Sequence, residues 1–298
     1  MAHPSYSTNI QRLSMKFVSR EIWEFLQAIA QGNISIIQEL TEKKLNLNQY
    51  FYILDIDNLD EEERLEYSYE VDLSLIEPEV ITFFGNLSST TYSYTPLSVA
   101  CWTGNLDLVK LLIEAGADVN YDQASPYMFF PIQLANKNIA EYLLSKGADI
   151  NATSVCGNSP VEDAISSGDK ELALFLLDNG ADPTIESNDG WHEGWDSIQQ
   201  AIWQKNETVL DKISEKGFDL SDYLQDFAEH GLISYIHTIL KDWQIRVDKD
   251  WQAKIDRAFH SSTKAGNDEI AALLLASGAN PNSENISNIE ESEYELEW

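Results

Sequence analysis

The chain is poor in basic residues, and this shortage excludes whole classes of partner. Nineteen lysines and arginines stand against 50 aspartates and glutamates in 298 residues, which gives a net charge of −31. Binding to nucleic acid or to an anionic membrane requires basic side chains that neutralise phosphate, so neither partner is expected. The acidity is compatible with a basic protein partner. It is equally compatible with a surface charge that only keeps the chain soluble.

Cysteine is also scarce, since Cys101 and Cys156 are the only two. Two thiols do not make a disulfide framework, and they favour a reducing compartment, so a cytoplasmic location is expected. The first twenty residues lack an apolar run of signal-peptide length, and no stretch of the sequence approaches the length of a membrane span.

Motifs that carry chemistry are missing as well. None of the five histidines takes part in an H-E-x-x-H spacing, and C-x-x-C, a phosphate-binding glycine-rich loop and G-x-S-x-G are all absent. His230 and His237 could share a helix face, although histidines of this kind more often lie on a helix surface. We therefore expect no enzymatic activity, no cofactor and no metal site.

The most informative segment that is present spans residues 95–120, TPLSVACWTGNLDLVKLLIEAGADVN. Thr95 can cap a helix and Pro96 is tolerated at its first position. Gly104 separates this short helix from a longer one, and Gly116 fits a left-handed helix end. The second helix is predicted from apolar residues at helical spacing: Leu106, Val109, Leu112 and Ile113.

This pattern recurs along the chain. Gly104, between the two helices, and Gly116, at the end of the second, are twelve residues apart. The corresponding turn residues of other copies have the same offset: Gly168/Gly180, Gly266/Gly278 and, with lysine in one position, Gly32/Lys44 and Lys205/Gly217. The tails are also alike: GADVN at 116–120, GADIN at 147–151, GADPT at 180–184, GFDLS at 217–221 and GANPN at 278–282.

The TPLSVA and GADVN segments resemble the ankyrin repeat, whose opening signature is T-P-L-H-x-A at a period of about 33 residues. Ser98 occupies the position where the family usually has histidine. The resemblance implies an all-α ankyrin-repeat solenoid of about seven helix-pair repeats with β-hairpin fingers. One of these repeats, near residues 223–248, departs strongly from the family pattern.

The resemblance also divides the chain into segments. We expect an N-terminal leader or cap, helical if ordered, then a first repeat, an acidic insertion, repeats two to seven, and an acidic tail: residues 1–19, 20–48, 49–93, 94–282 and 283–298. The third repeat lacks about one turn of its first helix after Ala135. The seventh is predicted to have an extended turn at residues 260–267, HSSTKAGN.

Residues 49–93 depart most from the family pattern. Eleven acidic residues and Arg64 give this insertion a charge of −10, but its aromatic start and the apolar run IEPEVITFF make it too hydrophobic for a plain linker. Long loops in repeat proteins are usually functional or disordered. We predict that the insertion is partly ordered and packs against the first or second repeat.

Aromatic residues give the best indication of a binding surface. Trp102 and Trp203 occupy the same position after the buried pair of the first helix, and the resemblance places that position on the concave face. Exposed tryptophans are typical of interface hot spots. The predicted surface also contains finger aromatics and rim carboxylates: Tyr121, Tyr127, Phe129, Phe130, Trp191, Trp195, Asp122, Glu186 and Asp189. Packing on neighbouring repeats, on the insertion or across the hairpins is the alternative role for the aromatics.

Together these features predict a non-enzymatic, stand-alone, monomeric protein-interaction module. The specific hypothesis is an inhibitor or immunity-type protein that captures a basic partner on an acidic, aromatic concave face. An adaptor, or a host-directed bacterial effector that recruits a partner without inhibiting it, remains open.

Overall fold

The computed structural model describes residues 13–16, 20–42, 47–48, 51–55, 93–120, 129–153, 157–187, 194–243 and 250–283. These residues form thirteen α-helices, two 3-10 helices and three strands. The chain divides into two compact units, one made of Met1–Asp163, Asn179–Ala181 and Ser187–Glu193, and the other of Ala164–Asp178, Asp182–Glu186 and Gly194–Trp298. Each unit is described separately.

Helices in the described residues come in pairs joined by short turns. The pairs are α1 Arg20–Ala30 with α2 Ile34–Glu42, α3 Pro96–Trp102 with α4 Leu106–Glu114, the 3-10 helix Pro131–Leu134 with α5 Lys137–Ser145, α6 Pro160–Ser166 with α7 Lys170–Asp178, α8 Ser197–Trp203 with α9 Glu207–Glu215, α10 Leu224–His230 with α11 Ile233–Trp243, and α12 Trp251–Ala265 with α13 Asp268–Ala276. A second 3-10 helix, Ser221–Tyr223, precedes α10. The number of these pairs that are ankyrin repeats stays a prediction.

Corresponding helices of successive pairs pack against each other within each unit. In the first unit α1 contacts α3, α3 contacts the 3-10 helix at 131–134, and α4 contacts both α2 and α5. In the second unit α8 contacts α10, α10 contacts α12, and α7 contacts α9. This mostly helical, repeating architecture fits the predicted all-α repeat class.

Local sequence explains where α3 begins. The Thr95 backbone N–H donates to Ser98 Oγ at 2.8 Å, and the Ser98 N–H donates to Thr95 Oγ1 at 3.1 Å, which is a reciprocal capping box. Leu97, Ala100 and Cys101 are buried, as the apolar spacing predicts. Ser98, the residue at the family's histidine position, is fully buried, and its hydroxyl donates a hydrogen bond to Thr95 O.

The predicted glycine turns are confirmed. The five glycines of the tails have φ between +87° and +105°: Gly116, Gly147, Gly180, Gly217 and Gly278. A residue with a Cβ is strained there, which explains why these positions are glycine. Lys205 replaces glycine in the α8–α9 turn and still adopts a positive φ, +53°.

Asparagine side chains link successive tails in the first unit. Asn120 donates from Nδ2 to Gly147 O at 2.8 Å and accepts at Oδ1 from the Asp149 N–H at 2.8 Å. Asn48 makes the equivalent pair of bonds to the Gly116 carbonyl and the Asp118 N–H. We call this series the asparagine ladder.

The last pair of helices holds its own tail in a different way. Gln252 on α12 donates to Gly278 O at 3.0 Å, and Asp256 Oδ1 accepts from the Asn280 N–H at 2.7 Å. Two side chains of α12 therefore bond the backbone groups that correspond to those bonded by one asparagine in the ladder.

A small sheet corrects the predicted all-α fold at the N-terminal end. Strands β1 Leu13–Lys16, β2 Phe51–Asp55 and β3 Ser93–Tyr94 pair antiparallel in the order β1-β2-β3, with Leu13 opposite Asp55 and Phe51 opposite Tyr94. The helix suggested for residues 1–19 is therefore wrong at 13–16. Strands of two to five residues are too short to show a period in the sequence.

The extended turn predicted at residues 260–267 is also wrong, because α12 continues to Ala265 and Gly266 alone is left-handed. The Ser262 and Thr263 hydroxyls donate back to Phe259 O at 2.8 and 2.9 Å, so these polar residues lie within a helix. The shortened first helix of the third repeat is confirmed as a four-residue 3-10 helix. The fingers at 121–128 and 188–193, the tail beyond 283 and most of the insertion lie outside the described residues.

Candidate functional site

The two tryptophans occupy equivalent places in their own units. Each is the last residue of a seven-residue helix, followed by one right-handed residue and then by a residue with positive φ, Gly104 after Trp102 and Lys205 after Trp203. Their exposed fractions are 38% and 58%. Among the described residues only four large hydrophobic side chains are exposed, and two of them are these tryptophans.

The other described members of the predicted surface are less accessible. Phe129 is partly buried and its ring stacks on Tyr94, with centroids 6.1 Å apart. Phe130 is partly buried, and its backbone N–H donates to Gln133 Oε1 at 3.0 Å. The ring contact favours local packing for Phe129. Trp195 is partly buried and Glu186 is exposed.

Five predicted site residues lie outside the described residues: Tyr121, Asp122, Tyr127, Asp189 and Trp191. Their part in a binding surface stays a prediction.

The sequence analysis did not single out two carboxylates, Asp226 and Glu229, on α10, the helix that contacts the Trp203-bearing α8. Glu229 precedes left-handed Gly231 by two residues, as Trp203 precedes left-handed Lys205, so the two side chains occupy the same register on the contacting helices α8 and α10. Asp226 lies one turn earlier on α10. The glycine alignment that matched the tryptophans would have found Glu229 had it been extended to Gly231.

Asp226 lies in an electrostatically unfavourable position. Burial raises its pKa, and the charges of Glu229 and Asp196 add to the rise, whereas His230 lowers it. Asp222, on the neighbouring 3-10 helix, already pairs with Lys254 at 2.7 Å. Among the described residues no lysine or arginine forms an ion pair with Asp226 or Glu229.

Asp196 is buried and joins two pairs of helices. Its Oδ1 accepts from the N–H groups of Ile198 and Gln199, both at 2.9 Å, which caps α8, and its Oδ2 accepts from the Tyr223 hydroxyl. Burial raises the pKa of Asp196, although these hydrogen bonds oppose the rise. The network positions the 3-10 helix that carries Tyr223 against the start of α8.

A second buried polar group lies in the first unit. Gln133 Nε2 donates to Asp163 Oδ2 at 2.8 Å and to the Asn158 carbonyl at 3.0 Å. Burial raises the pKa of Asp163 to about 6, although hydrogen bonds from Gln133 and Asn158 act in the opposite direction. This carboxyl group is held by its neighbours.

The described residues offer few groups for catalysis. Cys101 is buried, and burial raises the pKa of its thiol, which suppresses the reactive thiolate. No group of three or more His, Cys, Asp or Glu in the described part of the chain is arranged to hold a metal ion. In the same part, no helix combines the length and apolar character needed to cross a membrane.

Comparison with known proteins identifies the repeat. The family model for the ankyrin repeat matches residues 92–123, which include α3 and α4. Ankyrin repeat and KH domain-containing protein mask-1 of Caenorhabditis elegans is 36% identical over 89 residues, covering 29% of this chain and 3% of the relative. Putative ankyrin repeat protein FPV031 of Fowlpox virus (strain NVSL) is 31% identical over 100 residues, covering 32% of this chain and 29% of the relative.

A third match is longer. The nuclear factor NF-kappa-B p105 subunit of Gallus gallus is 26% identical over 207 residues, covering 64% of this chain and 21% of the relative. In all three relatives the match spans less than a third of the relative's own length. Residues 92–123 therefore match an ankyrin repeat, and further parts of the chain are similar to ankyrin repeat proteins. Repeats of this family are typical of protein–protein interaction modules.

Proposed function

We propose that the chain is a non-enzymatic protein-binding module that captures a basic partner protein and inhibits it. The observation that carries the proposal is Trp203, which is 58% exposed at the end of α8, a helix that contacts the carboxylate-bearing α10. An exposed tryptophan costs solvation free energy that a partner would recover, and tryptophan is enriched in hot spots. The net charge of −31 supports a partner of opposite charge.

The proposed surface combines two effects that can be measured separately. Rim carboxylates, among them Glu186 and the predicted Asp122 and Asp189, act at long range and accelerate encounter. Trp102 and Trp203 act at contact and slow dissociation. A monomeric, cytoplasmic protein is part of the same proposal.

The first experiment identifies the partner. The full chain and its Trp102→Ala/Trp203→Ala variant are used as baits in the native lysate, and proteins retained only by the unchanged chain are identified by mass spectrometry. Partner activity is then assayed with and without the chain. A loss of activity supports an inhibitor, whereas unchanged activity in the complex would indicate an adaptor and contradict the inhibitory part of the proposal.

Binding kinetics with that partner test the surface. Replacing Asp122, Glu186 and Asp189 by Asn or Gln is expected to slow association and flatten its salt dependence. Truncating either tryptophan is expected to speed dissociation, with a loss of about 2 kcal/mol at a hot spot. Circular dichroism must show that the variants keep their helices. An affinity that responds neither to salt nor to the tryptophans would overturn the proposal.

A further inference from the structure

The face formed by α8 and α10 in the second unit combines an exposed aromatic ring with two carboxylates that form no ion pair with a lysine or arginine among the described residues. Trp203 and Glu229 lie in the same register on these contacting helices. Packed helices are about 8–10 Å apart, so one extended side chain could contact both. Ile198, Ala201 and Ile202 on α8 and Leu224, Phe227 and Ala228 on α10 are buried, so the cores lie on the opposite sides of the helices.

The charges on this face define the occupant. Glu229 is exposed and Asp226 is partly buried, and neither forms an ion pair with a lysine or arginine among the described residues. Nearby Asp196 and Glu186 are acidic as well, and Lys254 is already paired with Asp222. A face of this kind attracts a cation, because each carboxylate now raises the energy of its neighbours.

We propose that this face is a docking site for an arginine side chain of a basic protein segment, with the guanidinium stacked on Trp203 and bonded to Glu229 and Asp226. The proposal deepens the proposed function, on which it rests. A guanidinium is planar and weakly hydrated, stacks on indole, and donates to two carboxylates at once, whereas a lysine ammonium is compact and strongly hydrated. The site should therefore prefer arginine to lysine at equal charge.

Two peptides of equal length, oligo-arginine and oligo-lysine, are the probes. They are titrated into the full-length ¹⁵N-labelled protein, and the indole N–H signals are followed by NMR, with Trp203 assigned from its absence in Trp203→Leu. We expect the Trp203 signal to shift at about threefold lower concentrations of oligo-arginine than of oligo-lysine. This local signal excludes confusion with peptides that bind the acidic insertion.

Variants test each part of the site. Glu229→Gln is expected to weaken the arginine-induced shift at Trp203 and to reduce its salt dependence. Trp203→Leu is expected to abolish the preference for arginine in the overall affinity, whereas Leu275→Ala, which truncates another exposed apolar side chain of the second unit, leaves that preference intact. Helical circular dichroism checks that each variant is folded.

The inference is overturned if the Trp203 signal does not move, or if both peptides move it at the same concentrations. Either result leaves the proposed function standing, because that function is tested by the affinity of the native partner. Conversely, a chain that retains no partner through its tryptophans would contradict the proposed function even if oligo-arginine binds at Trp203.

Discussion

Lys205 shows how a single residue can depart from the repeat pattern at a measurable cost. Its φ of +53° lies in the left-handed region, where five other inter-helix turns have glycine: Gly32, Gly104, Gly168, Gly231 and Gly266. A side chain raises the energy of this conformation by about 1–2 kcal/mol, partly offset because glycine increases the entropy of the unfolded chain.

We predict that Lys205→Gly raises the free energy of unfolding by about 0.5–1 kcal/mol, measured by urea denaturation. Gln204→Gly is the control, since Gln204 is right-handed with φ −77° and should lose stability with glycine. Equal effects of the two substitutions would contradict strain at Lys205.

Asp163 is one of three described aspartates, with Asp196 and Asp226, whose raised pKa should make stability fall as the pH rises. Its folded pKa of about 6 lies above the ordinary aspartate value of 3.8, so the folded state binds the proton more tightly than the unfolded state. The resulting stabilisation is complete below the unfolded pKa and is lost as the pH rises through the folded pKa.

Asp163→Asn keeps an oxygen that can accept from Gln133 but carries no charge. We predict that it raises the free energy of unfolding at pH 7 by about 2 kcal/mol and flattens the fall in stability between pH 4 and 7. Glu141→Gln, on the exposed side of α5, is the control. An unchanged pH profile in Asp163→Asn would show that this carboxyl group is not the source.

At the scale of the element, the asparagine ladder contributes to stacking in the first unit. Asn120→Ala removes two hydrogen bonds, to Gly147 O and from the Asp149 N–H. We predict a loss of about 1–2 kcal/mol in the free energy of unfolding, and faster hydrogen exchange at the Asp149 amide. Asn138→Ala, at an exposed position of α5, should cause neither change; slow exchange at Asp149 in Asn120→Ala would argue against the ladder.

Elements set by neighbouring residues were predictable, and those set by distant contacts were not. The start of α3 is predicted by Thr95 and Pro96, and the helix ends are predicted by the tail glycines. The structure agrees with each prediction. The pairing of residues 13–16 with 51–55 depends on contacts across almost forty residues and leaves no local pattern. At 260–267 the local signal was misleading, because hydroxyls that usually favour turns bond back to a helical carbonyl.

The candidate site shows the same division. The exposure of Trp203 follows from its place after the buried pair and was predicted. The glycine alignment, extended to Gly231, gives the register of Glu229. That α10 packs against α8 does not follow from the local sequence, because Asp226 and Glu229 lie more than twenty residues further along the chain.

For the whole molecule, the net charge of −31 should oppose folding through self-repulsion. Salt shortens the screening length from about 30 Å at 0.01 M to about 8 Å at 0.15 M. We therefore predict that the thermal midpoint rises by a few degrees over this range at pH 7. Near the sequence pI of about 4.2 the same salt should have little effect, and a midpoint at pH 7 that stays constant or falls would contradict the prediction.

The asparagine ladder also has an evolutionary consequence. Each asparagine bonds two backbone groups of the next tail, a glycine carbonyl and the N–H two residues later. Helix pairs joined in this way are interchangeable, so duplication or recombination can add pairs without requiring new side-chain contacts between them. The helix pair at 251–276 is different, because Gln252 and Asp256 of this pair bond the corresponding backbone groups of its own tail. Growth of the gene by copying is therefore expected to duplicate helix pairs that are joined by an asparagine rather than the pair at 251–276.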